Sequence, residues 1–242
     1  MPHEKMNTRQ LASYLGISLK KVTRLAAREK IPCRKIANGK FIFRKYEIDH
    51  WIWQQMHDFD LDRVADIEKG VISHHGMDDE VPIICPLLDE RCTALPLDAR
   101  TAPSVLKKLV RMAVDCGFAY DVEQLYARLR CREEIASTAI LPGVAFPHPG
   151  EPMPNGLARS FVGVGLVPCG VPFGSRDGGQ TKLFFLICCK EERTHLHVLA
   201  RLVRILNEQG GTPDLIEAKD TESFLEIIAH REMTLISRAT GR

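Results

Sequence analysis

Gly143-Val144-Ala145-Phe146-Pro147-His148 is a short apolar run that breaks at a proline and delivers a histidine. Proline fixes its own φ and removes a donor, so the chain is expected to leave a sheet there, with His148 held at the strand's end on a rigid support. Two later runs, 161–166 (Phe-Val-Gly-Val-Gly-Leu) and 183–188 (Leu-Phe-Phe-Leu-Ile-Cys), are continuously apolar rather than alternating. Such runs suit strands covered on both faces. Asp177-Gly178-Gly179 between them reads as loop.

Helical patterns surround these runs. Ser104, after Pro103, is expected to cap a helix with Leu106, Leu109, Val110, Ala113 and Val114 inward and Gly117 at its end. Asp121, with Gln124 as box partner, caps a second, whose apolar face is Val122, Leu125, Tyr126 and Leu129. A third begins at His195, capped by Thr194, with Leu199, Leu202, Val203 and Leu206 at core spacing, and closes at Gly210-Gly211. A last one runs from Thr221 to about His230, with Phe224, Ile227 and Ile228 inward. Strands alternating with helices predict an α/β (α+β) domain over 83–242, a mixed or parallel sheet flanked by helices.

The N-terminal part differs in charge and pattern. Residues 1–58 hold 12 Lys/Arg against 5 Asp/Glu, and the remainder 21 against 26. A small basic module on a larger acidic one points to nucleic acid for the first and another task for the second. Asn7 and Gln10 form a capping-box pattern, Leu11, Ala12 and Leu15 mark a helical face, and Gly16 stops it. Ser18 caps a second helix with Val22, Leu25 and Ala26 inward and Lys20, Lys21, Arg24 and Arg28 outward. Two short helices across a glycine turn, the second basic on its free face, make a helix-turn-helix pattern. Asn38-Gly39 between apolar-rich runs predicts a hairpin wing, and Tyr46, Ile48, Trp51 and Ile52 a closing helix. The division expected is a winged helix-turn-helix domain over 1–58, a linker over 59–82 and the larger mixed-sheet domain over 83–242.

Within 59–82, Leu61, Val64, Ala65 and Glu68 fit a short helical tail, and 73–80 (Ser-His-His-Gly-Met-Asp-Asp-Glu) is polar and unpatterned. Adjacent histidines in a flexible tract make a poor metal site, and His195 and His197, two apart on a helix, diverge. No metal and no cofactor is expected. Eight cysteines at irregular spacing, without a C-x-x-C, read as buried reduced thiols. No apolar run approaches the ~18–20 residues of a membrane span. Glu4, Lys5 and Arg9 interrupt any signal-peptide core. A cytoplasmic protein without a membrane partner is expected.

The residue types around His148 suggest chemistry. Imidazole is largely neutral near pH 7 and attacks phosphorus without a strong base. Phosphoryl transfer needs charge neutralisation and in-line positioning. Arg132 offers a planar fork matched to phosphate oxygens. His195, in a first helical turn, would lie where free N–H groups favour an anion. Ser137 and Thr138 are candidate phosphate-binding hydroxyls. Each also has a bland reading: a core histidine, an ordinary helix residue, a surface ion pair of Arg132 with Glu133 or Glu134, and turn or cap hydroxyls.

Residues 6–53, carrying "MNTRQLASYLGIS", "VTRL" and "KIPCRKIANGKFIFRKYEIDHWI", resemble the excisionase-family helix-turn-helix, a winged relative of the MerR type. The resemblance implies that 18–28 enter a major groove, with Lys20, Lys21, Arg24, Arg28 and Lys40 binding DNA. The order Arg132-Glu133-Glu134-Ile135-Ala136-Ser137-Thr138, then 143–148, then Thr194-His195-Leu196-His197 resembles an enzyme IIA domain of the bacterial phosphotransferase system, of the fructose/mannitol/nitrogen-regulatory type, over roughly 83–232. It implies that His148 accepts a phosphoryl group from the histidine phosphocarrier protein, with His195 and Arg132 completing the site. Where that family usually has Gly after the histidine, this chain has Pro149 and then Gly150, which removes a backbone N–H. Where it often has a polar residue ahead of the apolar run, this chain has Ile140-Leu141-Pro142-Gly143. Both departures stiffen or dry the site and bear on the transfer rate and on phosphorylation itself. The combination implies a cytosolic regulator that couples phosphorylation of His148 to DNA binding, with a IIB domain or another regulatory protein as a further partner. Two alternatives are a transport component passing the phosphoryl group to a IIB partner and a DNA-binding protein with a phosphorylation-dead IIA fold. The domain is expected to act as a phosphocarrier rather than a free-standing turnover enzyme.

Overall fold

The computed structural model describes residues 4–36, 39–56, 59–208 and 210–240. The chain forms two compact units, 1–79 and 80–242.

In the first unit, strand β1 (Lys5–Asn7) leads into helix α1 (Thr8–Tyr14). Asn7 caps α1 through Arg9 N–H and Gln10 N–H, and the Gln10 side chain returns to the Asn7 N–H, the expected capping box. Helix α2 (Leu19–Ala27) is capped by Ser18. Strand β2 (Arg34–Lys35) pairs antiparallel with β3 (Phe41–Arg44), and β1 pairs with the other edge of β3. The Ile36 N–H donates to the Lys40 carbonyl, so the wing closes as a hairpin. Asn38 of the expected Asn-Gly turn lies outside the described residues. Helix α3 (Lys45–Gln55) then packs on β3, and Ile48 and Ile52 are fully buried, as are Leu11, Leu15, Val22 and Phe43. Each such side chain contributes roughly 1.5–3 kcal/mol.

Most of the stretch expected as a linker is helical. Helix α4 (Leu61–His75) is capped by Asp60, ends at left-handed Gly76, and belongs to the first unit. It lies so close to α1 that a Cβ on Gly70 would collide with the Tyr14 carbonyl oxygen. Val64, Ile67 and Val71 are fully buried beneath it, and Arg63 donates to the Leu15 carbonyl, closing the end of α1. His74 and His75 are not linker residues: the His74 ring meets Tyr14 edge-on at 5.1 Å, and its Nε2 lies 2.8 Å from Glu4 Oε1. His74, which makes the helix end look polar in sequence, thus uses its ring inside the unit.

In the second unit, β4 (Thr93–Ala94), β5 (Val144–Ala145), β6 (Phe161–Val171) and β7 (Thr181–Cys188) form a sheet in the order β4-β6-β7-β5. The central pair is antiparallel and both outer pairs are parallel, so the sheet is mixed. Helices α5 (Ala102–Asp115) and α6 (Val122–Ile135) cover one face, where Leu106, Leu109, Leu125 and Leu129 meet Phe184 and Leu186. The other face carries Phe185, stacked against Phe146 at 5.9 Å and near Phe224 at 6.3 Å. Phe224 lies on α9 (Thr221–Thr240), beside α7 (Glu192–Asn207) and the short α8 (Gly211–Ile216). Burial on both faces explains why 161–166 of β6 and 183–188 of β7 are apolar at every position.

Three boundaries differ from expectation. α5 starts at Ala102 because Thr101, not Ser104, is the cap, with Ser104 as its box partner. α7 starts at Glu192, so Thr194 is its third residue rather than its cap. α9 runs ten residues beyond His230. Arg231 and Glu232, which look like a polar stop, are buried: Arg231 donates to the Gly211 carbonyl, and Glu232 accepts the N–H groups of Ile83, Ile84 and Cys85. The cysteines divide too. Cys92, Cys188 and Cys189 are buried and Cys131 and Cys169 exposed, so the uniform burial expected from sequence does not hold.

Candidate functional site

β5 is only two residues long, but its tether to β7 extends past both ends. The Gly143 carbonyl accepts from Lys182 and Leu183, and the Pro147 carbonyl accepts from Ile187. The backbone is thus fixed up to the residue before His148. The His148 ring, 3% exposed, has Nδ1 2.8 Å from the Phe146 carbonyl oxygen. A carbonyl can only accept, so the proton sits on Nδ1 and Nε2 carries the lone pair. That lone pair accepts from Arg132 Nε at 3.0 Å.

Arg132 occupies the last turn of α6 and is also 3% exposed. Its Nη1 donates to the Ala136 carbonyl at 2.9 Å, which keeps the guanidinium in register with the imidazole. Burial lowers its pKa below the usual arginine value, although Glu133 opposes the shift. A desolvated guanidinium interacts more strongly with any anion brought beside it.

His195 is the fourth residue of α7 and half-buried. Its ring centroid lies 4.8 Å from that of His148, with planes inclined by 47°. The three residues singled out for chemistry, Arg132, His148 and His195, therefore converge, although they come from a helix end, a strand end and a helix start. His197 takes a different path: it is buried, with Nε2 3.4 Å from Arg201.

The two candidate hydroxyls point elsewhere. Ser137 Oγ donates to the Phe173 carbonyl at 2.6 Å. Thr138 Oγ1 donates to Glu133 Oε2 at 2.7 Å, and the Thr138 N–H donates to Glu133 Oε1 at 2.7 Å. Both hydroxyls hold the turn after α6 rather than facing His148's lone pair. Glu133, which sequence reasoning treated only as an ion-pair partner of Arg132, is the clamp of that turn. Burial pushes its carboxyl pKa up, against the opposing pull of the Thr138 bonds. The signal was available as a carboxylate five residues ahead of a threonine across a helix end. Pro149 is buried, and Gly150, with φ of +80°, would bring a Cβ within 3.4 Å of the Arg132 side chain. A larger residue there would be strained and would press on the guanidinium's stem.

In the first unit, Lys20, Lys21, Arg24, Arg28 and Lys40 are all exposed. Arg34 and Lys35 on β2 are exposed as well and extend the basic surface onto the wing. Among the described residues, no group of three or more His, Cys, Asp or Glu could hold a metal ion, and no helix is long and apolar enough to cross a membrane.

Comparison with known proteins follows this division. Residues 86–231 match the profile of the "Phosphoenolpyruvate-dependent sugar phosphotransferase system, EIIA 2" family, and residues 6–56 match a helix-turn-helix domain. The chain is 28% identical over 147 residues to the fructose-specific EIIABC component of Bacillus subtilis, covering 60% of this chain but 23% of that protein. It is 30% identical over 108 residues to the mannitol-specific enzyme IIA component of the same organism, covering 45% of this chain and 73% of the relative. It is 31% identical over 100 residues to a nitrogen regulatory protein of Bradyrhizobium diazoefficiens, covering 40% of this chain and 63% of the relative. Among solved structures, the nitrogen regulatory protein IIA-Ntr of Neisseria meningitidis aligns with a TM-score of 0.54 at 20% identity, covering 60% of this chain and 97% of that one. IIA mannitol of Escherichia coli aligns at 0.51 and 20%, covering 58% and 98%. These structural likenesses concern the fold of the second unit. With more than half of its length inside the EIIA profile, the chain belongs to the EIIA type 2 family of the phosphoenolpyruvate-dependent sugar phosphotransferase system, and it carries a helix-turn-helix domain ahead of its EIIA domain.

Proposed function

We propose that this protein is a cytoplasmic regulator in which His148 accepts a phosphoryl group from the histidine phosphocarrier protein and the phosphorylation state alters DNA binding by the helix-turn-helix unit. The observation that carries the reading is the convergence of Arg132 and His195 on the His148 imidazole, whose Nε2 lone pair is selected by the Nδ1 bond to Phe146. In the transfer step, that lone pair forms a bond to phosphorus as the donor's P–N bond breaks, and the donor imidazole keeps the electron pair of the broken bond. Arg132 Nε donates to that same nitrogen at rest, so the guanidinium must step aside before attack. It then faces the phosphoryl oxygens, where charge-assisted bonds replace the one given up. His195, beside the His148 ring, flanks the incoming group from the start of α7. Neither metal nor cofactor is needed for this transfer.

The exposed cations of α2 and the wing supply the phosphate contacts of a DNA complex, which set affinity and salt dependence. A phosphoryl group adds up to about two negative charges to a domain whose acidic and basic residues otherwise nearly balance, which can change its partners. The test is DNA binding measured across a salt series with and without phosphoenolpyruvate, enzyme I and the phosphocarrier. A shift in affinity that disappears in His148→Ala supports coupling, whereas identical curves under both conditions remove it.

The similarity to fructose- and mannitol-specific components favours a second reading, in which the domain hands its phosphoryl group to a IIB partner. Transfer of label from the phosphorylated protein to a IIB domain in a reconstituted mixture, without any effect on DNA binding, would select it.

A further inference from the structure

We infer that Glu133 is a positioning residue for the His148–Arg132 pair; its functional consequence rests on His148 being the phosphoryl acceptor. Both carboxylate oxygens of Glu133 are engaged by Thr138, one by its N–H and one by its hydroxyl, each at 2.7 Å. The carbonyl of Thr138 in turn accepts the Phe146 N–H at 3.1 Å. The Phe146 carbonyl accepts Nδ1–H of His148 at 2.8 Å. Successive hydrogen bonds thus run from Glu133 through Thr138 and Phe146 to the imidazole. A second path starts from the neighbouring residue: Arg132 holds the Ala136 carbonyl with Nη1 and His148 Nε2 with Nε.

The polar contacts described on the two imidazole nitrogens therefore both lead back to the 132–138 segment that Glu133 pins. The Nδ1 contact decides which nitrogen keeps the lone pair. The Nε2 contact decides where the guanidinium waits. If the clamp is removed, Thr138 is freed, the Phe146 peptide keeps its neighbours' tether to β7 but loses the support of the Thr138 carbonyl, and the two tautomers of His148 come closer in population. Glu133 touches neither the imidazole nor the position of an incoming phosphoryl group in these contacts, so it acts through the residues it holds.

Glutamine at 133 can preserve the geometry. Its carbonyl oxygen accepts the Thr138 N–H, and its amide donates to the Thr138 hydroxyl, which can accept. Alanine preserves neither bond. The experiment compares the wild-type full chain with Glu133→Gln, Glu133→Ala and Thr138→Val. Nitrogen-15 imidazole NMR of the unphosphorylated proteins reads the His148 tautomer, and single-turnover transfer from the phosphorylated phosphocarrier reads rate against donor concentration. Expected is one Nδ1–H tautomer in wild type and Glu133→Gln, a mixed population in Glu133→Ala, and an intermediate one in Thr138→Val. Misplacement of a reacting group by about 1 Å can cost roughly 100-fold, so the limiting rate of Glu133→Ala is expected to fall about 10- to 100-fold, with its half-saturating donor concentration unchanged. A wild-type tautomer pattern in Glu133→Ala overturns the inference, as does a Glu133→Gln protein as impaired as the alanine variant. Should wild type take up no phosphoryl group, the functional reading of His148 falls while the tautomer comparison still decides the role of Glu133. Should Glu133→Ala fail to fold, the glutamine and Thr138→Val variants carry the same comparison.

Discussion

The two units use positive charge in opposite ways. In the helix-turn-helix unit Lys20, Lys21, Arg24, Arg28 and Lys40 stand in solvent, around an interior that is apolar except for residues such as Lys45, paired with Asp49, and Glu68. In the EIIA unit Arg132 and His148 are each 3% exposed and held by directed hydrogen bonds. Exposed cations act through a field that reaches about 10 Å at 0.1 M salt, tolerate small displacements and can replace one another. A buried guanidinium facing an imidazole acts through geometry, and a neighbour cannot stand in for it. Substitutions in the first unit should therefore give graded, salt-sensitive losses, and those in the second abrupt, salt-insensitive ones.

The largest break is expected at His148. His148→Ala should abolish phosphoryl uptake while leaving the salt-dependent DNA affinity of the unphosphorylated protein at its wild-type value, as measured by radiolabel incorporation beside fluorescence anisotropy. Arg132→Lys comes next. It keeps a charge but loses the planar fork, so the single-turnover transfer rate should fall by about 100-fold or more at any salt concentration. Gly70→Ala tests the packing of α4 on α1. The added Cβ meets the Tyr14 carbonyl, so the first unit should lose about 2–3 kcal/mol in a denaturant titration followed by Trp fluorescence, with phosphoryl uptake preserved. The smallest effect is Arg24→Ala, which should reduce the slope of log affinity against log salt by about 1 and leave phosphoryl uptake untouched.

Cysteine reactivity sharpens the same contrast between exposed and buried groups. Burial beside Glu232 pushes Cys85 up to about 12, and burial pushes Cys92 and Cys189 to about 12 as well. These thiols should stay protonated at pH 8, and alkylation at that pH should label exposed Cys131 and Cys169 first, as peptide mass spectrometry would read. Glu133 gives a pH dependence of defined sign. Its folded-state pKa is raised by burial, so the native state binds the proton more tightly than the unfolded chain. This residue's contribution to stability is therefore largest below the ordinary carboxyl range and declines as pH rises through the raised value. Glu133→Gln should flatten that part of the stability–pH curve.

The winged module was legible because its signals are local: a capping box at Asn7 and Gln10, a cap at Ser18, and cations on one helical face. The position of His148 was legible because a proline at the end of an apolar run is a backbone constraint visible in one dimension. The constellation itself needed the spacing of three separated motifs, read by resemblance. What stayed hidden were polar residues satisfied by distant partners. His74 meets Glu4 seventy residues away, and Glu232 takes backbone N–H groups nearly 150 residues away. A pattern of apolar spacing counts such residues as surface and ends the helix too soon, as at α4 and α9. Thr138 failed for a related reason: its hydroxyl suits a phosphate, but a carboxylate in the same turn claims it first.

The most direct measurement is to incubate the full chain with phosphoenolpyruvate, enzyme I and the phosphocarrier, and to map the acid-labile phosphate by peptide analysis and phosphorus NMR. A single phosphoryl group on Nε2 of His148, absent from His148→Ala and retained at a slower rate in Arg132→Lys, is the outcome this account predicts. Phosphate on His195 or His197 instead, or none on a protein that is folded and binds DNA, would contradict it.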